Sequence, residues 1–380
     1  MIMRLGVSVL EKIGQTNGER AVFRMIRRTP GISRVELCHM TNLTSAAVTQ
    51  IVKRYMASGL VRESGLRNST TGNVGRARIG LSLNTDRYYA LGITVRRFDV
   101  LFGLVTMDGN VKYSWKDETP NAARLINAMR NAYRITSEEG LSLIGTGLGI
   151  PTFSVPWATR EDIIETVANE VPTDLYVFHN GSYAAIAEEW TMPAENPQSF
   201  FYVFFGSGIG GASVNRRGLE IPVVTPVESG HVGIDPTGEL CFCGNRGCVE
   251  LVASPIALLR RCYPNESDLS ILMQLDETTK QEVGESLAYG LVTIANILNT
   301  QTVILGGYDE QFLETIYGAV LRNILDNFVT PSGHPLRIIT SKLGEFVGVQ
   351  GAALGAIDEV GRKCTDAHDL RQGPPWDSDH

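Results

Sequence analysis

Three cysteines fall within eight residues in Cys241-Phe-Cys243-Gly-Asn-Arg-Gly-Cys248, and His231 lies ten residues before the first of them. No other stretch constrains the folding of this chain as tightly. Thiolate and imidazole donors suit a tetrahedral zinc ion. Gly244 and Gly247 let the backbone turn sharply enough for three sulfurs to face one point. A disulfide or unrelated buried thiols are the competing readings, but the sulfurs of a Cys-X-Cys pair bridge poorly and cytoplasmic chains rarely keep disulfides. We therefore expect one structural Zn2+ per chain on His231, Cys241, Cys243 and Cys248, with no open position for chemistry. Cys38, Cys262 and Cys364 are isolated and have no ligating spacing.

A chain of 380 residues exceeds what one hydrophobic core usually organises, so two or three domains are expected. With 43% hydrophobic and 20% charged residues, the composition is that of a globular protein. No apolar run approaches the roughly 18 residues of a membrane span. The run Leu5 to Leu10 is too short for a signal-peptide core and is followed by Glu11 and Lys12, so a cytoplasmic protein without a membrane partner is expected. The net charge of −7 conceals a division near Thr85. Residues 1–85 carry 13 Lys and Arg against 4 Asp and Glu, net +9, which leaves −16 on the remainder. A basic head on an acidic body points to a polyanionic partner for the head, because Lys and Arg neutralise phosphates regardless of sequence.

The head has the pattern of a winged helix-turn-helix. Asn17 is a candidate N-cap for GERAVFRMIRR, in which Ala21, Val22, Met25 and Ile26 recur at helical spacing with arginines between them. Pro30-Gly31 ends that helix. Ser33 caps RVELCHM, with Val35 and Leu37 expected inward, and Thr44 caps SAAVTQIVKRYMAS across a tight turn. In this third helix Val48, Ile51, Val52, Tyr55 and Met56 form the apolar stripe. Ser45, Ala46, Thr49, Gln50 and Lys53 are left on the other side, small and polar as a major groove requires. Gly59 stops the helix, and two strand-like runs around a long polar tip make a hairpin carrying Arg67, Arg76 and Arg78. A three-helix scaffold for protein contacts is the alternative; the charge, the caps and the arginine-bearing hairpin favour operator DNA.

Residues 228–250, ESGHVGIDPTGELCFCGNRGCVE, resemble the signature of the ROK family of repressors, open reading frames and sugar kinases, in the form ExGH followed by CxCGxxGCxE. The head resembles the one that precedes the body in the repressor branch of that family. This resemblance, from about residue 17 to 360, implies an α/β protein: a winged helix-turn-helix followed by a two-lobed, actin-like and hexokinase-type body with a sugar cleft. The boundaries expected are an extension over 1–16, the winged helix over 17–84, lobe 1 over 85–190 completed by a helix near 345–362, lobe 2 with the zinc knot over 191–344, and a loose tail over 363–380.

The resemblance implies that Glu228, His231 and Glu250 hydrogen-bond sugar hydroxyls, with His231 also a zinc ligand. Family kinases carry an Asn-Asp pair whose aspartate takes the proton of the attacking hydroxyl; the matching positions are His179 and Asn180. An amide cannot take that proton, and loss of a general base costs roughly 10² to 10⁴ in rate. The DxGGT phosphate loop of the kinases corresponds to Thr94-Val-Arg-Arg-Phe98, without aspartate or glycines. Gly206-Ser-Gly-Ile-Gly-Gly211 does match the family's second phosphate loop, and Gly306-Gly307 matches its adenosine loop loosely. Arg96 and Arg97 are candidates for holding a phosphorylated sugar. The chain is thus expected to be no enzyme but a sugar-responsive regulator, a homo-oligomeric dimer or tetramer, with His179, Asn180, Glu228, His231 and Glu250 on the sugar and Ser45, Thr49, Gln50, Lys53, Arg76 and Arg78 on DNA. A sugar kinase with an attached DNA-binding head is the alternative, and a regulator answering only to a protein partner is a third.

Overall fold

The computed structural model describes residues 16–67, 78–151, 154–192, 199–216, 222–326, 328 and 333–363. Arg76, Cys364 and nearly all of the expected N-terminal extension and tail lie outside the described residues, and Arg67 is described for its backbone alone.

The head comprises α1 (Asn17–Arg28), β1 (Ile32–Ser33), α2 (Arg34–Thr41), α3 (Ser45–Ala57), β2 (Val61–Arg67) and β3 (Arg78–Leu83), with the strands in the order β1-β3-β2. Thr16, not Asn17, caps α1: its hydroxyl accepts from the Glu19 N–H and the Glu19 carboxylate accepts from the Thr16 N–H, both at 3.2 Å. This reciprocal box satisfies two otherwise orphaned donors, whereas Asn17 already lies inside the helix. Ser33 and Thr44 cap α2 and α3 as expected, and Asn42 takes the left-handed conformation that makes the turn between them. Val48, Ile51, Val52 and Tyr55 are buried, but Val35 is 47% exposed. Val35 and Leu37 are two residues apart, about 200° around a helix, so Leu37 facing in turns Val35 out.

Two further sheets repeat one topology. β4 (Tyr88–Val95), β5 (Val100–Thr106) and β6 (Val111–Asp117) form an antiparallel meander; after α4 (Ala122–Glu138), β7 (Ser142–Ile150) pairs parallel with β4, and after α5 (Arg160–Glu170), β8 (Leu175–His179) pairs parallel with β7. The chain then enters α6 (Asn180–Thr191). A second meander follows in β9 (Ser199–Phe205), β10 (Ile209–Asn215) and β11 (Val223–Val227). Helices α7 (Val249–Ala253), α8 (Pro255–Cys262) and α9 (Glu277–Leu298) lead to β12 (Thr302–Gly306), parallel to β9. Helices α10 (Glu310–Leu313) and α11 (Ala319–Leu325) precede β13 (Arg337–Thr340), parallel to β12, and α12 (Val347–Lys363) follows. The strand orders β6-β5-β4-β7-β8 and β11-β10-β9-β12-β13 are the same pattern twice. Binding groups in such sheets gather at the carboxyl ends of the parallel strands, and His179 and Phe205 close two of them.

Helix α12 returns from lobe 2 to pack on β4, β7 and α6. Glycine makes the approach possible: a Cβ on Gly92 would overlap the carbonyl oxygen of Val349, and one on Gly147 that of Ala352. The head is joined to lobe 1 through one apolar cluster that runs from Val22, Ile26 and Leu83 to Tyr88, Trp190, Val349 and Leu354. Among the described residues, no helix is long and apolar enough to cross a membrane.

Candidate functional site: interlobe cleft, cysteine cluster and recognition helix

The ligand atoms of His231, Cys241, Cys243 and Cys248 all lie within 4.8 Å of one another. The backbone brings them there: Ile234 N–H donates to the Gly247 carbonyl at 2.9 Å and Val249 N–H to the Val232 carbonyl at 3.0 Å, so the two ends of the loop are stitched side by side. Gly247 sits at φ +56°, where a Cβ would also overlap the Asp235 carbonyl. His231 Nδ1 is 3.6 Å from Cys241 Sγ, and Cys243 Sγ is 3.7 Å from Cys248 Sγ. A tetrahedron with metal–sulfur bonds of about 2.3 Å has sulfur–sulfur edges of about 3.8 Å, so the donor set fits a tetrahedral ion. Burial pushes the Cys248 thiol up to about 12, and a thiolate there calls for a positive charge beside it. Phe242, exposed, stands edge-on to the His231 ring at 4.9 Å.

The same histidine lines the cleft between the lobes together with His179, Asn180, Glu228 and Glu250. His179 ends β8, Asn180 begins α6, Glu228 precedes the 3₁₀ turn Ser229–His231, and Glu250 lies in α7. His179 Nε2 is 3.4 Å from Glu228 Oε1, and this contact holds the Glu228 carboxyl below its ordinary range. The Glu250 carboxylate accepts the Ile209 N–H at 2.8 Å, which pins the end of the Gly206–Gly211 loop and leaves one carboxylate oxygen without that bond. Asn180 Oδ1 accepts the Tyr183 hydroxyl at 2.8 Å. Among the described residues, His179 Nδ1 is buried without a hydrogen-bond partner. The cleft thus offers two carboxylates, two imidazoles and an amide to a polyhydroxylated ligand, whose hydroxyls each need a fixed donor or acceptor.

Thr94 is buried near the end of β4. Arg96 reaches the cleft, but its Nε and Nη2 donate to the two Asp99 carboxylate oxygens at 2.6 and 2.7 Å, and Glu345 lies 3.5 Å away. Its charge is already answered. Arg97 is exposed and lies 5.7 Å over the Phe98 ring. Tyr183, which orients Asn180, had no sequence signal beyond helical spacing from it.

On the head, Ser45, Gln50 and Lys53 are exposed and Thr49 is half-exposed, all on the outer side of α3, and Arg78 is exposed at the start of β3. Arg24 and Arg27 of α1 are buried instead. Basic charge that composition alone would assign to DNA is turned toward the body.

A two-lobed body of duplicated α/β sheets, with its cleft beside a cysteine cluster and a winged helix on lobe 1, defines a sugar-kinase-like fold coupled to a DNA-binding module. The ROK family profile matches residues 145–359, more than half of the chain, and the chain belongs to the ROK family. A second profile, winged helix-turn-helix DNA-binding, matches residues 19–62. The chain is 23% identical over 386 residues to the DNA-binding transcriptional repressor Mlc of Escherichia coli (strain K12), covering 91% of this chain and 94% of that protein. It is 25% identical over 367 residues to the xylose repressor of Bacillus subtilis (strain 168), with 90% and 94% covered. With the dual regulator NagC of Escherichia coli (strain K12) it shares 26% over 390 residues, with 89% and 93% covered. Among solved structures, a ROK family transcriptional regulator described as a homologue of the E. coli MLC protein superimposes with a TM-score of 0.69 at 19% identity, covering 94% of this chain and 98% of that one. A ROK family glucokinase from Streptomyces griseus, in complex with glucose and AMPPNP, gives 0.59 at 20% identity, with 71% and 99% covered. At these identities the structures establish the fold.

Proposed function

We propose that the protein is a sugar-responsive transcriptional repressor: the head binds operator DNA, and the body binds a sugar or sugar derivative without phosphorylating it. The observation that carries this reading is the chemistry of the cleft. Partners for hydroxyls are gathered there, while the position of the kinase base is an amide whose oxygen already accepts the Tyr183 hydroxyl. Binding needs only those partners; transfer needs a base and a metal-nucleotide site. The match to named repressors over about nine-tenths of the chain supports the same reading.

On this reading Ser45, Thr49 and Gln50 of α3 face base edges, and Lys53, Arg76 and Arg78 face phosphates. One head presents one recognition helix, so reading two half-sites takes a homo-oligomer. The cluster on His231, Cys241, Cys243 and Cys248 holds a structural zinc, which fixes the His231 ring so that its edge away from Nδ1 serves the sugar. The test is DNA binding followed by fluorescence anisotropy across glucose, xylose and N-acetylglucosamine, free and 6-phosphorylated, with ATP turnover measured alongside. Release of DNA by one sugar without turnover is expected. The retained Gly206–Gly211 loop favours the second reading, a sugar kinase with a DNA-binding head, and robust turnover with any of these sugars would establish it in place of the first.

A further inference from the structure

Between the head and the body lies a buried cluster of charges that the DNA and sugar sites do not use. From α1 come Arg24, Arg27 and Arg28; from the far end of α6 come Glu189 and Trp190; Arg216 and Asp358 complete it. Glu189 is 2% exposed. Its carboxylate meets Arg28, lies 3.8 Å from Arg27 Nη2 and 3.1 Å from Arg216 Nε, and its main-chain oxygen accepts from Arg216 Nη2 at 2.7 Å. The Arg27 guanidinium stacks 3.3 Å over the Trp190 ring. Trp190 Nε1 donates to Asp358 at 3.3 Å, and Arg24 lies 3.5 Å from the same carboxylate.

Three guanidiniums, those of Arg27, Arg28 and Arg216, therefore gather on the one Glu189 carboxylate. Among the described residues, Arg27 Nε and Nη1, Arg28 Nε and Arg216 Nη1 are buried without hydrogen-bond partners, and burial pulls Arg27 down to about 10. Undercompensated buried charge opposes the docked state, because each stranded N–H regains water when the surfaces part. The apolar cluster between head and lobe 1 favours docking. Two opposed terms of this kind leave the head poised rather than locked.

The other end of α6 is in the cleft. Its first residue, Asn180, lines the ligand site, and Glu189 and Trp190 stand near its last turn, so nine residues, about 14 Å of helix, separate Asn180 from Glu189. The helix is tightly confined: a Cβ on Gly181 would press on the Gly211 backbone, and one on Gly351 of α12 would overlap the Tyr183 carbonyl oxygen. A body gripped so closely along its length moves as a unit, carrying a displacement at Asn180 to Glu189.

We propose that Glu189 is the latch of the head: α6 links the ligand cleft to it, and a ligand that selects a shifted α6 separates Glu189 from Arg27 and Arg28 and releases the head. This inference rests on the sugar-responsive reading. With the head docked, the outer side of α3 is exposed, and heads held in fixed orientation suit two half-sites at fixed spacing. The docked state is therefore the DNA-binding one.

The test is Glu189→Gln in the full-length protein, which keeps the shape and removes the charge. Without sugar, amide exchange along α1 speeds up and DNA affinity falls about tenfold, within the usual range of such couplings. Because one equilibrium governs both ligands, a shift away from the docked state also raises the calorimetric affinity for whichever sugar of the panel binds the wild type. Loss of DNA and sugar affinity together marks a merely structural role and overturns the proposal, as does no change in either. If Glu189→Gln does not fold, Arg28→Gln carries the same two expectations from the head side. If no sugar binds the wild type, the sugar-responsive reading falls on its own, and unchanged α1 exchange and DNA affinity in the variant overturn the latch independently.

Discussion

Replacing Cys248 by Ser tests the metal cluster at its most buried sulfur. The spacings of 3.6 and 3.7 Å between donors are already within a few tenths of an ångström of the edges of a zinc–thiolate tetrahedron. Little reorganisation opposes loading, so the ion's affinity is expressed as stability of the loop and of the lobe it closes. A metal that binds only the folded chain adds about 1.4 kcal/mol for every tenfold excess of free ion over its dissociation constant, or about 4.1 kcal/mol at a thousandfold excess. Thermal unfolding in zinc buffers that span roughly three decades of free ion should therefore show a midpoint that climbs steadily for the wild type. For Cys248→Ser the climb should be lost or start only at far higher zinc, because an alkoxide does not form at neutral pH to replace the thiolate. A wild-type midpoint indifferent to free zinc, or a variant that climbs in parallel with it, would refute the assignment.

Glu228→Ala should weaken sugar binding by about 1 to 3 kcal/mol for each hydroxyl left unpaired, while metal content and sugar-free DNA affinity stay as they were; calorimetry with metal analysis decides it. Lys53→Ala should weaken DNA binding evenly across sequences and lower the slope of log affinity against log salt by about 1, whereas a change in sequence preference would place Lys53 on a base. The Arg124 guanidinium at 2.8 Å holds the Asp117 carboxyl below its ordinary range, so the ion pair stabilises the fold above the unfolded carboxyl's pKa of about 3.9 and loses that effect as pH falls through the lower native value. The stability gap between wild type and Asp117→Asn should accordingly close in acid; a gap of constant size from neutral pH to about pH 2 would count against the pair.

Local interactions made the head and the cysteine cluster legible from sequence. Caps act over three residues, the helical stripe of α3 over thirteen, and the metal donors lie within residues 231–248, so residue type and spacing suffice to place them. Even the misplaced cap was locally written, since Thr16 and Glu19 stand three apart. The family signature marked Glu228, His231 and Glu250, but spacing alone gives no reason for His179 to meet Glu228 or for Glu250 to hold the Ile209 N–H; chain crossings between two lobes decide those contacts. Composition likewise gave the sign of the head's charge without its direction. Arg27 and Arg28 find their carboxylate at Glu189, about 160 residues along the chain and inside an interface that exists only once α6 and α12 have packed between the sheets. A sequence carries the charge of an arginine plainly, but whether that charge meets water, phosphate or a buried carboxylate depends on what tertiary packing places against it.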